Sequence, residues 1–200
     1  METSWAQLEG AIENCHACRL REGRRNAVVG DGNRMADVML VGEGPGARED
    51  EMGLPFVGAA GQLLDRMLAA IGLDRRDVYI CNAVKCRPPE NRTPAPQECE
   101  ACKGFLREQF RLVRPRIILC MGSTAARTIL GPSTRVTSDR GLWRLRKGIW
   151  IMPTYHPAAL LYDESKKRLS WQDLKLLKGK MEELGIYPER GEPSGTERAE

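Results

Sequence analysis

Histidine is scarce in this chain. His16 and His156 are the only two in 200 residues, which excludes a metal centre built on a set of histidines. No apolar run approaches membrane-spanning length, so no transmembrane helix is expected. The first ten residues lack a basic-then-apolar leader, and a cytoplasmic protein is the default expectation. The phosphate-loop pattern G-x-x-x-x-G-K-[ST] does not occur. Gly42-Glu43-Gly44-Pro45-Gly46 comes near the dinucleotide fingerprint, but Ala47 breaks its spacing. Neither sequence signature of a nucleotide cofactor is therefore present.

Cysteine, by contrast, is plentiful: Cys15, Cys18, Cys81, Cys86, Cys99, Cys102 and Cys120. In a cytoplasmic chain such a set points to metal or redox chemistry rather than disulfides. Cys81 and Cys120 fall inside apolar runs and read as small buried hydrophobes. The others admit two arrangements. Two C-x-x-C pairs, Cys15/Cys18 and Cys99/Cys102, would suit tetrahedral zinc. Cys15, Cys18, Cys86 and Cys102, spread over a turn, a loop and a helix, could instead wrap a bulkier iron–sulfur cluster. Spacing does not choose between them.

At 200 residues and 42% hydrophobic content the chain suits one compact domain, residues 1–187, with a charged tail from 188 to 200 that reads as disordered. A net charge of +4 is compatible with a nucleic-acid partner without requiring one. Apolar runs at 37–41, 78–84, 117–121 and 149–152 read as buried strands. Amphipathic stretches at 3–14, 60–71, 97–113, 123–130 and about 171–184 read as helices, and 131–148 reads as polar and irregular. Alternating strands and helices predict an α/β fold with a mostly parallel sheet.

The strand over 37–41 runs into a glycine- and proline-rich loop, 42–58. Such turns lie at the carboxyl edge of a sheet, where open α/β folds bind ligands. The loop holds a carboxylate, Glu43, beside an aromatic plate, Phe56, a pair suited to a planar and partly polar ligand such as a nucleobase. Asn82 and His156 also end strands, so a parallel sheet should bring Glu43, Asn82 and His156 to one edge. The proline-rich loop 85–94 carries Lys85, Arg87 and Arg92, which could meet phosphates or be ordinary solvated charges.

These residues resemble the family 4 uracil-DNA glycosylases, the iron–sulfur branch of the uracil-DNA glycosylase superfamily. The resemblance runs from about Cys15 to Gly185. It rests on C-x-x-C at 15–18, Gly42-Glu43-Gly44-Pro45-Gly46 with Glu49-Asp50, and Gly53-Leu54-Pro55-Phe56-Val57-Gly58. It continues through Asn82-Ala83-Val84-Lys85-Cys86-Arg87-Pro88-Pro89 with Asn91-Arg92, then Cys102, then Thr154-Tyr155-His156-Pro157-Ala158. It implies a three-layer α/β/α sandwich around a four-stranded parallel sheet, and a [4Fe–4S] cluster on Cys15, Cys18, Cys86 and Cys102.

The implied activity is base excision repair of uracil-containing DNA by a monofunctional, monomeric glycosylase with no nucleotide cofactor. Glu43 would position or deprotonate water, and His156 would stabilise the departing uracil. Phe56 would stack on the base and Asn82 would read its edge, beside Gly42 and Gly44. Lys85, Arg87 and Arg92 would contact DNA, and Leu160 would be either a wedge in the vacated stack or a core residue. Two departures stand out. Tyr162 replaces an arginine common in relatives, and Cys86 follows Lys85 directly, without the basic, histidine-containing insertion of the DNA-crosslinking branch. A metal-stabilised DNA-binding module without catalysis is the rival, since it would not need Glu43, Asn82 and His156 together; a metal-dependent nuclease is another.

Overall fold

A computed structural model describes residues 3–188; all but the first residue of the predicted tail lies outside them. The chain runs α1 (Trp5–Glu13), α2 (Leu20–Gly23), β1 (Asp31–Gly32), β2 (Val38–Gly42), α3 (Ala47–Met52), α4 (Ala59–Ala70) and β3 (Val78–Asn82). It continues α5 (Pro96–Val113), β4 (Ile117–Met121), α6 (Ser123–Leu130), α7 (Val136–Asp139), β5 (Arg144–Arg146), β6 (Ile149–Thr154), α8 (Pro157–Leu160) and α9 (Glu164–Glu183). The strands form one six-stranded sheet in the order β1-β3-β2-β4-β6-β5.

The four inner strands are parallel, as expected, and β1 and β5 add antiparallel edges that the sequence reading lacked. Period-2 alternation divides the inner strands between two cores. Val38, Leu40, Ile80, Leu119 and Met152 pack on one face with Leu64, Leu68, Leu174 and Leu177 of α4 and α9. Met39, Val41, Cys81, Ile118 and Cys120 pack on the other with Leu106 of α5 and Ala125 and Ala126 of α6. The result is a helix–sheet–helix sandwich. Both strand cysteines are fully buried, as small hydrophobes would be.

Some boundaries differ from expectation for identifiable reasons. β6 continues through Pro153, where a strand should weaken. Its neighbour β5 pairs only with Ile149–Ile151, so β6 is already an edge at the proline, where proline is tolerated. Helix α9 starts at Glu164, well before Trp171, capped by Asp163, whose carboxylate accepts from the Ser165 N–H at 3.1 Å. No helix among the described residues is long and apolar enough to cross a membrane.

Candidate active site

The strand order reverses at β2, with β3 on one side and β4 on the other, and the crevice beyond that point is where ligands bind in open α/β sheets. All four parallel strands deliver polar groups there. Glu43 follows β2, Asn82 ends β3, Ser123 and Thr124 follow β4, and His156 follows β6. With Phe56, Arg92, Arg127 and Lys166, these residues line a single cleft of roughly 670 Å³. The expected convergence of Glu43, Asn82, His156 and Phe56 is present.

The floor of the cleft is tightly fitted. Gly42 sits beside Asn82 in the ladder, and a Cβ on Gly42 would lie 2.5 Å from both Asn82 Oδ1 and Phe56 Cζ. Only glycine lets the amide and the ring approach this closely. Gly44 has a related part, leaving room for the Val84 side chain. Asn82 is 1% exposed and its Oδ1 has no hydrogen-bond partner among the described residues. A buried acceptor without a partner costs stability, and such groups cluster where a ligand supplies the missing donor.

Phe56 occupies the left-handed region at φ 54°, which costs about 1–3 kcal/mol for a bulky residue and persists only where its surroundings enforce it. Two side chains do so. Glu49 Oε1 accepts from the backbone N–H groups of Val57 at 2.9 Å and Gly58 at 2.8 Å. The Arg75 guanidinium donates to the carbonyls of Pro55, at 3.1 Å, and Phe56. The Phe56 ring stacks on the His156 imidazole at an interplanar angle of 28°, centroids 5.5 Å apart.

His156 caps α8, its Nδ1 accepting the Ala158 N–H at 3.2 Å. With Nδ1 committed as acceptor, the neutral ring carries its proton on Nε2. His156 is half-buried and lines the cleft, and its burial lowers the pKa to about 4, against a smaller upward pull from the Glu49 carboxylate. The site thus presents a neutral donor at neutral pH. The strand leading to it is anchored by the buried Asp173, which takes the Thr154 hydroxyl at 2.7 Å and the Arg140 guanidinium at 2.6 and 3.0 Å.

Glu43 is half-buried, and one of its oxygens accepts the Thr124 hydroxyl. Thr124, a residue the sequence reading left without a role, is 8% exposed at the start of α6. Arg127 and Lys166 were likewise missed as cleft residues; their only signal was position after a strand or beside the His156 loop. Among the expected DNA contacts, Arg92 lines the cleft while held by Glu98 at 2.7 and 2.8 Å, which also holds the Glu98 carboxyl below its usual range. Arg87 is half-buried and donates to Asn91 Oδ1 at 2.8 Å.

Two expectations are corrected. Lys85 is 1% exposed, its ammonium donating to the Asn82 carbonyl at 2.7 Å and Gln109 Oε1 at 2.5 Å. It is out of reach of a phosphate. Leu160 is 2% exposed and faces Leu63, Met67 and Leu174. It is a core residue, and the exposed apolar groups after α8 are Leu161 and Tyr162, 38% and 90% exposed.

A second constellation lies behind the 85–94 loop. Cys15, Cys18, Cys86 and Cys102 line one small cavity with Arg24 and Lys85, and Cys99 is not among its walls. Among the described residues no group of three His, Cys, Asp or Glu is placed to hold a metal ion. Burial pushes the Cys86 thiol up and Cys102 to about 11, with the neighbouring cysteines adding to each shift. Against this, the Arg24 guanidinium donates to Cys86 Sγ at 3.0 Å and the Lys85 backbone N–H bonds the Cys102 sulfur.

The Uracil DNA glycosylase superfamily model matches residues 29–175, and the chain belongs to that superfamily. Within it, the chain is 40% identical over 196 residues to the Type-4 uracil-DNA glycosylase of Sulfurisphaera tokodaii, covering 94% of this chain and 87% of that protein. It is 42% identical to the Type-4 uracil-DNA glycosylase of Thermotoga maritima, covering 87% of this chain and 93% of that one. The Archaeoglobus fulgidus Type-4 enzyme is 45% identical, covering 76% of this chain and 80% of its own.

Proposed function

We propose that this chain excises uracil from DNA by hydrolysing the N-glycosidic bond and leaving an abasic site. The observation that carries the reading is the unpartnered, buried Oδ1 of Asn82 at the bottom of a cleft floored by Phe56. A flipped uracil offers N3–H to that acceptor and its O4 to the amide N–H, whereas cytosine has no N3–H and presents a donor at C4. A buried acceptor meeting no donor discriminates strongly.

Chemistry then divides between two residues. As the C1′–N1 bond breaks, its electron pair leaves with uracil and positive charge grows on the sugar. The Nε2–H of neutral His156 donates to the uracil anion without a charged imidazole having to be generated. Water adds to C1′ and loses a proton, for which Glu43 is the acceptor. Thr124 holds one carboxylate oxygen and leaves the other for water. Arg92, Arg127 and Lys166 around the mouth suit flanking phosphates, and the exposed Leu161 and Tyr162 suit the space left by the extruded base.

The four-cysteine cavity fits a [4Fe–4S] cluster. Its donors are four thiols drawn from a turn, a loop and a helix, arranged around a space rather than about one ion. Burial of Cys86 and Cys102 disfavours their thiolates unless positive charge meets them, which the iron core supplies when bound, tying the 85–94 loop to α5 beside the cleft. Cys99 packs against the buried group that contains Cys86 and Cys102 as a helix neighbour, without lining the cavity. Iron analysis should show loss of iron in Cys86→Ser and retention in Cys99→Ser.

The function is tested with oligonucleotides carrying one uracil, cytosine or thymine, incubated with the protein in EDTA and cleaved with alkali. Cleavage confined to the uracil strand is expected. No cleavage by protein shown to contain iron would favour the DNA-binding module, and cleavage abolished by EDTA would favour a metal-dependent nuclease.

A further inference from the structure

The buried ammonium of Lys85 has no part in the chemistry above and no carboxylate partner among the described residues. It is 1% exposed, and its acceptors are neutral: the Asn82 carbonyl at 2.7 Å and Gln109 Oε1 at 2.5 Å. Gln109 is itself fixed, its amide donating to the Val29 carbonyl at 2.7 Å and Tyr79 Oη at 3.0 Å. A charge buried without a counter-charge is among the most costly features a fold can carry. Chemistry able to supply one lies in the cysteine cavity, since Lys85 lines it, precedes Cys86, and gives its backbone N–H to the Cys102 sulfur.

We infer that Lys85 is a positioning residue that couples the metal-binding cysteines to the base-reading amide. Its positive charge is the internal counter-charge of the loaded thiolate site, and its Nζ holds the end of β3 where Asn82 sits. A cluster with four thiolates carries net negative charge, so a fixed ammonium beside it favours the more reduced state and raises the reduction potential. The same ammonium keeps the Asn82 backbone, and so its side-chain acceptor, at a set depth beneath the base. The sequence pattern that made Lys85 look like a phosphate contact instead joins two sites.

The test uses the iron-loaded full chain and the variants Lys85→Met and Gln109→Glu. The inference rests on the iron–sulfur reading: a wild type that binds no iron defeats that reading, whereas iron-bound variants identical to wild type defeat only this one. Reduction potentials are measured by voltammetry. Binding is measured to an oligonucleotide with 2′-fluoro-2′-deoxyuridine, which resists hydrolysis, and to its 2′-fluoro-2′-deoxycytidine counterpart. Lys85→Met should move the potential negative and cut the preference for the uracil probe about tenfold, the order expected when one base-edge contact is misplaced. Gln109→Glu, which neutralises the ammonium in place, should move the potential the same way while retaining more of the preference; it keeps the inference open to refutation should Lys85→Met fail to fold. Unchanged potentials in both variants would overturn it. So would an equal loss of affinity for both probes in Lys85→Met, which would return the lysine to a phosphate contact.

Discussion

Gly42→Ala is the substitution through which the geometry of the cleft can be judged most sharply. The added methyl would lie 2.5 Å from Asn82 Oδ1 and Phe56 Cζ and 2.8 Å from Phe56 Cε2, where ordinary contact begins at 3.4 Å. Both the amide and the ring must therefore retreat by about 1 Å. Neither is free to do so, because Asn82 closes a strand and Phe56 is clamped by Glu49 and Arg75 in a strained backbone conformation. Overpacking of this kind costs about 1–3 kcal/mol of stability, or a fall in Tm of a few to roughly ten degrees for a domain of this size. Displacing a positioning group by about 1 Å costs on the order of 10²-fold in rate. Steady-state excision from a uracil oligonucleotide should thus fall about a hundredfold in kcat/KM while circular dichroism stays native at 25 °C. Gly104→Ala, whose Cβ meets nothing within 4 Å on an exposed part of α5, is the control and should leave activity unchanged. A Gly42→Ala protein with a lowered Tm and full activity would show that Asn82 and Phe56 do not form the base pocket.

Three further outcomes follow from named contacts. By ¹⁵N NMR, His156 should titrate near pH 4 with Nε2 protonated above it; a midpoint near 6.5 would remove the neutral-donor argument. Because its folded value is depressed, the unfolded chain takes up a proton between about pH 6.5 and 4 that the folded chain does not, so this contribution to stability is lost as pH falls through that window. Thr124→Val should lower kcat several-fold to tenfold with KM little changed, and Thr124→Ser should restore it, as the loss of one hydrogen bond of about 1 kcal/mol implies; equal activity of Val and Ser variants would deny Thr124 its hold on Glu43. Leu160→Ala should destabilise the fold by about 2–5 kcal/mol, whereas Tyr162→Ala should leave Tm unchanged and weaken duplex binding in a gel-shift titration; the reverse pattern would make Leu160 the wedge.

Much of this arrangement is written in local sequence. The four parallel strands are short runs such as Ile117-Ile118-Leu119-Cys120-Met121, mostly buried on both faces and therefore mainly apolar, and such runs are visible one at a time. Their common polarity then places Glu43, Asn82 and His156 on one edge without knowledge of any contact. The edge strands β1 and β5 were not legible: Asp31-Gly32 and Arg144-Leu145-Arg146 are too short and polar to announce themselves, and only pairing makes them strands. Lys85 was misread for a different reason. A lysine among arginines and prolines looks solvated, and what buries it is Gln109, far along the chain on α5. Leu160 was ambiguous because a turn of helix after Pro157 does not say which side faces the core; α4 and α9 decide that. Thr124 carried no signal at all beyond following a strand, since one hydroxyl means nothing until a carboxylate from another strand reaches it.

The proposed role of Glu43 is to take the proton from water as this cleft hydrolyses the bond between uracil and deoxyribose. It is tested most directly by single-turnover excision from a uracil oligonucleotide in EDTA, comparing the iron-loaded chain with Glu43→Gln, alongside affinity for the 2′-fluoro-2′-deoxyuridine probe. Rapid uracil release by the intact chain is expected, with a rate reduced by about 10²-fold or more in Glu43→Gln, on the scale of general acid–base catalysis, and unchanged probe affinity. Uracil release at the same rate in both proteins would contradict that role.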